Sequence, residues 1–384
     1  VPSPITHEYA WAGVSPPMDH QKTTAEFLTL NPRAFCFNEQ GTGKTAAAIW
    51  ASDYLLATKH ITRVLVVCPL STMQSAWQAD LFKFAVHRHV GVAYGAREKR
   101  EKIINNTEYE YIIINYDGIE VVKDTIADND FDLIIIDEAN AYKTSTTKRW
   151  KTMSKLIGPS TWVWMLTGSP AAQSPVDAHG LAKLCVPDNV TRSLTTFRNL
   201  VMYPISRFKW VPKPDALDTV FKTLQPAIRF TKEECLDLPP KVYQYRYVEL
   251  SAEQKKLYKD LSDFAVTSLD GKALSIDNVL TMMLRLHQIT CGHYTSDDGE
   301  TIQVENNRVS ELLQVLGEAP DKVIIWANYI QDIKSIVAAL TKEYGAESVV
   351  QYYGAVNQDD RNLAIERFQK DPTCKFFVGN PQTG

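Results

Sequence analysis

Short, unbroken apolar runs separated by longer amphipathic stretches set the rhythm of the first part of the chain. RAFCF (33–37), VLVVCP (64–69), YIIINY (111–116), LIIID (133–137) and VWMLTG (163–168) are rich in β-branched or aromatic residues. Each closes on a turn or polar residue, which predicts buried strands. Between them, TAAAIWASDYLLAT (45–58) and TMQSAWQADLFKFA (72–85) read as helices. Unbroken rather than alternating hydrophobicity, with helices interposed, predicts parallel strands covered on both faces. From 175 to about 225 the rhythm becomes helix-like and turn-broken. PISRFKWVPKP (204–214), within it, has prolines and cations but no strand periodicity. LDLPPK (236–241) reads as a linker, because adjacent prolines resist helix. SAEQKKLYKDLSDFAVTSL (251–269) then predicts a helix with Ser251 as N-cap and Gln254 three residues on. Strand and helix alternate again through KVIIWA (322–327), QDIKSIVAALTKEY (331–344), SVVQYYG (348–354), DDRNLAIERFQ (359–369) and KFFVGN (375–380). The pattern predicts an α/β protein of two parallel-sheet lobes flanked by helices, 1–237 and 238–384. Helical insertions are expected at about 175–225 and about 251–310.

Composition fits this picture. The 384 residues, 45% hydrophobic and 22% charged, suffice for two cores. The net charge of -4 excludes a generally basic nucleic-acid coat but permits a local basic cleft. Cysteines 36, 68, 185, 235, 291 and 374 contain no C-x-x-C pair, so neither a disulfide framework nor a zinc cluster is expected. Cys291 and His293 lie close together, but two ligands do not make a structural zinc site. No apolar run approaches the ~18 residues needed to span a bilayer, and the N-terminus has no signal-peptide pattern. A cytoplasmic or nuclear protein, not secreted, is the expectation.

Chemistry enters with FNEQGTGKT (37–45), which follows a predicted strand and precedes a predicted helix. That context makes a glycine-lysine string a phosphate loop. Gly41 and Gly43 let backbone N–H groups converge on a phosphate, Lys44 neutralises charge, and Thr45 offers a hydroxyl to Mg²⁺. The fuller G-x-x-x-x-G-K-[ST] pattern would place Gly where this chain has Asn38. Asp137 and Glu138 end the LIIID strand, about 90 residues downstream. They could simply cap a strand at the surface. Alternatively, Asp137 holds Mg²⁺ through water from a strand beside the phosphate strand, and Glu138 activates the attacking water.

Together with their neighbours these segments resemble the Swi/Snf family of superfamily-two helicase-like ATPases over nearly the whole chain. MDHQ (18–21) is similar to the adenine-sensing segment, NEQGTGKT to motif I, VCPLSTMQSAW (67–77) to motif Ia and INYDGI (114–119) to motif Ib. DEANAYK (137–143) resembles motif II, LTGSP (166–170) motif III and KVIIWANY motif IV. AIRFTKEECLDLPPKVYQYRYVELSAEQKKLY (227–258) resembles the family hinge, and 352–369 the loop and helix after motif IV. The resemblance implies two RecA-like lobes and a DNA-stimulated ATPase that tracks along duplex DNA as a monomer. It places ATP at Gln40, Gly41, Thr42, Gly43, Lys44 and Thr45, with Gln21 reading adenine. It makes Lys44, Asp137 and Glu138 catalytic, and Thr45 and Asp137 holders of Mg²⁺.

The resemblance also places DNA phosphate contacts at Ser71, Thr72, Asn115, Tyr116, Thr167, Gly168 and Ser169, none of which reads sequence. Lys143, Lys148, Arg149, Lys151, Arg207 and Lys209 are further candidates, or a solvated face; REKREK (97–102) reads as an exposed helix. Trp162 and Trp164 read as packing residues. Two departures stand out. Asn140 replaces a histidine that in relatives couples the nucleotide site to motif III. The chain also stops at FFVGNPQTG, similar to the opening of motif V, without the arginines of motif VI. A missing arginine finger costs ~10³ to 10⁵ in turnover, so a longer natural chain or a crippled ATPase is expected. A strand-separating helicase, and a DNA-binding module with an inactive ATP site, stay open as alternatives.

Overall fold

The structure is a computed structural model that describes residues 3–11, 13–171, 173–206, 209–271, 276–296 and 298–382. Arg207 and the last two residues of the motif V stretch lie outside the described residues. The chain separates into two compact units, Val1–Pro240 and Lys241–Gly384.

The first unit is organised around a seven-stranded sheet. Its strands are β1 (Arg33–Cys36), β2 (Val64–Cys68), β3 (Val90–Val92), β4 (Tyr111–Asn115), β5 (Leu133–Asp137) and β6 (Trp162–Leu166). A separate hairpin, β7 (Met202–Pro204) with β8 (Trp210–Pro212), intervenes before the seventh sheet strand, β9 (Ala227–Ile228). The sheet order is β3-β4-β2-β5-β6-β1-β9, with every neighbouring pair parallel. Successive side chains of a strand point to opposite faces, and here both faces are covered. Leu65, Val67, Ile134 and Ile136 join one buried cluster, while Val64, Val66, Leu133 and Ile135 join the other. Two-sided burial is why these strands read as unbroken apolar runs. Trp164 is fully buried and donates its indole N–H to Asn31 O at 3.0 Å.

The region after β6 carries helices Ala178–Cys185, Leu194–Val201 and Ala216–Thr223. PISRFKWVPKP was expected to lack strands, yet its ends enter the antiparallel β7–β8 hairpin. Prolines end both strands, where a missing N–H costs the short ladder little. The helix Arg97–Ile104 forms as expected, but Arg100 is buried rather than exposed. Its guanidinium donates to Ala93 O and Gly95 O, and to Asn115 Oδ1.

His179 is 1% exposed within the helical region. Nε2 donates to Thr191 O at 3.1 Å, and Nδ1 has no partner. Burial, aided by the nearby Lys183 charge, holds this imidazole below its usual range despite the Thr191 bond. The folded ring therefore binds fewer protons than the unfolded one, and stability falls as pH drops through about 6.5. His179→Gln keeps a donor for Thr191 and should lose less melting temperature than the wild type between pH 7.5 and 5.5. Equal losses would contradict this.

The second unit begins with extended chain and a helix, Ala252–Gly271, that opens with a reciprocal cap. Gln254 N donates to Ser251 Oγ at 3.1 Å, and Ser251 N to Gln254 Oε1 at 3.0 Å. A second helix, Ile276–Cys291, leads to the antiparallel pair β10 (His293–Thr295) and β11 (Thr301–Gln303). β12 (Val323–Trp326), β13 (Val349–Tyr352) and β14 (Phe376–Gly379) form a parallel sheet of order β12-β14-β13. Ile330–Tyr344 and Gln358–Lys370 supply its crossover helices. No described helix is long and apolar enough to cross a membrane.

Candidate functional site

A fully parallel sheet puts the C-terminal ends of its strands on one edge, where the turns gather. The turn after β1 runs through Asn38–Gly43 into the helix Lys44–Ala57. Gly41 and Gly43 have φ of +82° and +80°, left-handed values that a side chain rarely adopts. Asn38, where the fuller phosphate-loop pattern has glycine, is 1% exposed and ties the loop down. Its Nδ2 donates to Thr24 Oγ1 at 2.9 Å, and its Oδ1 accepts from Phe230 N at 3.0 Å. Thr42 O accepts from His20 Nε2 at 2.7 Å and from Gln21 Nε2 at 3.3 Å. Gln21 also accepts from Met18 N through Oε1, so loop and helix start set its orientation. Lys44 is buried at the first turn of its helix, where main-chain N–H groups lack intrahelical partners.

A β-carbon added at Gly43 would lie 2.1 Å from Gln21 Nε2. Gln21 can swing aside at the cost of its Thr42 bond, but the backbone strain stays. Gly43→Ala should lose about 1–2 kcal/mol of stability in urea unfolding, together with nucleotide binding. Wild-type stability and binding would refute it.

The acid pair closes β5. The expectation of a strand beside the phosphate strand is corrected here, because β6 lies between β5 and β1. The two turns are therefore two strand spacings apart, about 10 Å. That gap leaves room for a phosphate and a hydrated cation. Asp137 is 9% exposed and accepts from Trp77 Nε1 at 2.8 Å and from Glu138 N at 3.0 Å. Trp77 sits in a π-helical turn, Met73–Gln78, a rare form often found at functional sites. Tyr116 Oη donates to Asp137 O at 2.5 Å. Glu138 has φ +45° and ψ +54°, an uncommon conformation for a residue with a side chain.

Burial raises both carboxyls above their usual range, and for Glu138 the neighbouring Asp137 adds to it. Trp77, the Glu138 N–H and Lys44 oppose the rise at Asp137; Lys44 and a hydrogen bond from Gln40 oppose it at Glu138. The loop lysine and the acid pair thus share one electrostatic environment. Oxygen donors alone, from Asp137, Glu138 and the Thr45 hydroxyl, suit Mg²⁺. A buried acid pair with raised pKa also gains from a nearby dication, so the residues fit the ion.

Motif III completes the edge. Thr167 is fully buried, its N–H on Cys36 O at 3.0 Å and its Oγ1 accepting from Ser169 N at 3.3 Å. Asn140 Nδ2 donates to Ser169 O at 2.8 Å, so this amide links the acid turn to the Thr167–Ser169 turn. A polar pocket of about 490 Å³ lies between Gln40, Glu138, Asn140 and the Thr167–Ser169 turn, bordered by Arg229 and Lys232. Asn38, His20, Trp77, Arg229 and Lys232 had drawn no site role of their own, although each lies in a segment that carries the resemblance: His20 in MDHQ, Asn38 in NEQGTGKT, Trp77 in VCPLSTMQSAW, and Arg229 and Lys232 in the hinge.

Ser71 and Thr72 follow β2 and are half-buried, with Thr72 N and Oγ1 both on Pro69 O at 3.1 Å. Asn115 ends β4 and Tyr116 follows it, with the Asn115 amide oxygen taken by Arg100. These turns share the edge with Thr167–Ser169. The cations nearby are largely compensated. Lys143 pairs with Asp177 at 3.6 Å and bonds Gln173, Lys148 pairs with Glu120 at 3.2 Å, and Arg149 with Asp117 at 2.7 Å. Lys151 and Lys209 are exposed.

The family model described as "SNF2-related domain" matches residues 20–295. An uncharacterized ATP-dependent helicase of Mycoplasma genitalium is 26% identical over 344 residues, covering 87% of this chain and 32% of that protein. A putative ATP-dependent helicase/translocase of Bacillus subtilis is also 26% identical, covering 87% and 37%. The chain thus spans about a third of the length of these two relatives. A putative phage protein, from Acyrthosiphon pisum secondary endosymbiont phage 1, is 24% identical over 85% of this chain and 75% of its own length. Among solved structures, the Sulfolobus solfataricus SWI2/SNF2 ATPase core in complex with dsDNA covers 96% of this chain and 79% of its own. It is 24% identical with a TM-score of 0.53, a likeness of fold, that of the SWI2/SNF2 core with its RecA-like lobes. This chain belongs to the SNF2-related domain family.

Proposed function

We propose that the chain is the ATPase core of a motor that hydrolyses ATP on duplex DNA and moves along it without reading sequence. The observation that carries this is the shared environment of Lys44, Asp137 and Glu138 on one sheet edge. Lys44 and the main-chain N–H groups of Gly41–Thr45 bind the phosphates. Gln21 reads the adenine, and Thr45 and Asp137 hold Mg²⁺. The ion, when bound, supplies charge neutralisation at the phosphates. Trp77 fixes the Asp137 carboxylate, and Gln40 orients Glu138. Glu138, whose pKa burial and the neighbouring Asp137 raise above the usual carboxylate range, takes the proton of the attacking water in its ionised form. Asn140 ties that turn to motif III, the route by which a duplex on the same edge would act on hydrolysis.

Ser71, Thr72, Asn115, Tyr116, Lys143 and Thr167–Ser169 are assigned to the duplex backbone, largely through main-chain groups, since Thr167 and Asn115 are buried. Lys148, Arg149, Lys151 and Lys209 can add to that face. The test is ATP hydrolysis by the natural full-length protein with and without duplex DNA, using Lys44→Ala to subtract contaminants. Duplex should raise the rate regardless of sequence, with steep weakening as salt increases. Equal rates with and without duplex would remove DNA coupling. Release of a labelled strand would instead favour a strand-separating helicase.

A further inference from the structure

The segment after β9 does more than leave the first unit. Three hydrogen bonds stitch it to the phosphate loop: Phe230 N to Asn38 Oδ1 at 3.0 Å, Glu39 N to Phe230 O at 2.9 Å, and Lys232 N to Glu39 Oε2 at 3.1 Å. A reciprocal cap between Thr231 and Glu234 locks the next turn of chain. The main chain at Lys232 is thereby held against the loop. Its side chain lies across Gly41, with Cε 3.5 Å and Nζ 3.9 Å from where a β-carbon on that glycine would be. Arg229 approaches the Glu39 carboxylate at 4.0 Å, but among the described residues no carboxylate pairs with the Lys232 ammonium. Lys232 borders the same polar pocket as Gln40, Glu138 and the Thr167–Ser169 turn.

We infer that Lys232 is a second phosphate-binding cation, which grips the terminal phosphate of a nucleoside triphosphate from above Gly41. The inference rests on the nucleotide reading of the loop and adds a residue outside it. Lys44 is buried at the start of the helix that follows the loop. Lys232 comes from a segment nearly 190 residues away in sequence and faces the loop at Gly41. A phosphate group between Gly41 and Glu138 would meet an ammonium on the loop side and a carboxylate on the water side. Such an ammonium senses whether the terminal phosphate is present. A diphosphate, held by the glycine turn and Lys44, ends short of it.

The test is titration of a non-hydrolysable imido analogue of ATP, and separately ADP, both with Mg²⁺. Wild type, Lys232→Met, Lys232→Arg and Lys44→Ala are compared, with melting curves confirming that each folds. The expected result is a wild-type preference for the triphosphate that falls about tenfold in Lys232→Met, the size of one charge-assisted contact. ADP affinity should change less than twofold, and Lys232→Arg should restore much of the preference. Lys44→Ala should weaken both ligands. An unchanged preference in Lys232→Met, or an equal loss for both nucleotides, overturns the inference and leaves the nucleotide site standing. A wild type that binds neither nucleotide overturns both.

Discussion

Glu138→Gln is expected to lower ATP turnover by about 10²- to 10⁴-fold, the usual contribution of a positioned general base, while Mg²⁺–ATP affinity changes little. The amide is isosteric and can still bond Gln40, but it cannot take a proton. Glu138 sits in a left-handed turn immediately after a buried strand, so its position comes from the backbone and survives the substitution. The change also removes a negative charge beside Asp137, which helps to raise the Glu138 pKa. The variant should therefore melt no lower than the wild type at neutral pH. Single-turnover hydrolysis and equilibrium binding separate the two effects. Parallel losses of binding and turnover would assign Glu138 to holding the ligand rather than to proton transfer.

Lys44→Ala should cost more at the binding stage, with nucleotide affinity falling on the order of 10²-fold, as when a buried charge-assisted contact is removed. It should also have a signature without any ligand. Lys44 opposes the burial-driven rise in the pKa of Asp137 and Glu138, so removing it lets both rise further. A carboxyl whose folded pKa exceeds its unfolded one holds more protons when folded. Stability then falls as pH rises through the window between the two values. The melting temperature of Lys44→Ala should accordingly drop more steeply than that of the wild type from pH 5 to 8. Identical pH slopes would mean that the lysine and the acid pair do not share a site.

Much of this site was legible because its parts are local. A glycine turn between an apolar run and a helix, or two acids ending LIIID, needs only a few residues to be read. The cap at Ser251 and Gln254 likewise lies within one turn. What failed to show was non-local or short. Nothing in the spacing of β1, β5 and β6 says that β6 lies between the other two, because strand order depends on crossovers. β3 has three residues, too few for a periodic signal. The β7–β8 hairpin hides behind its prolines. Arg100 reads as one charge among several, and only its three acceptors reveal why it is buried. Lys232 reads as part of a hinge, and only its backbone bond to Glu39 turns it toward the loop.

The most direct measurement of the central claim, one triphosphate shared by the glycine turn and the acid pair through Mg²⁺, is calorimetric titration of ATP with Mg²⁺ and again with EDTA. The expected result is a single site per chain that weakens at least about tenfold without the ion, a shift of about 1.4 kcal/mol, and weakens on the order of 10²-fold in Lys44→Ala. Binding that is indifferent to Mg²⁺, or that is unchanged in Lys44→Ala, would contradict it.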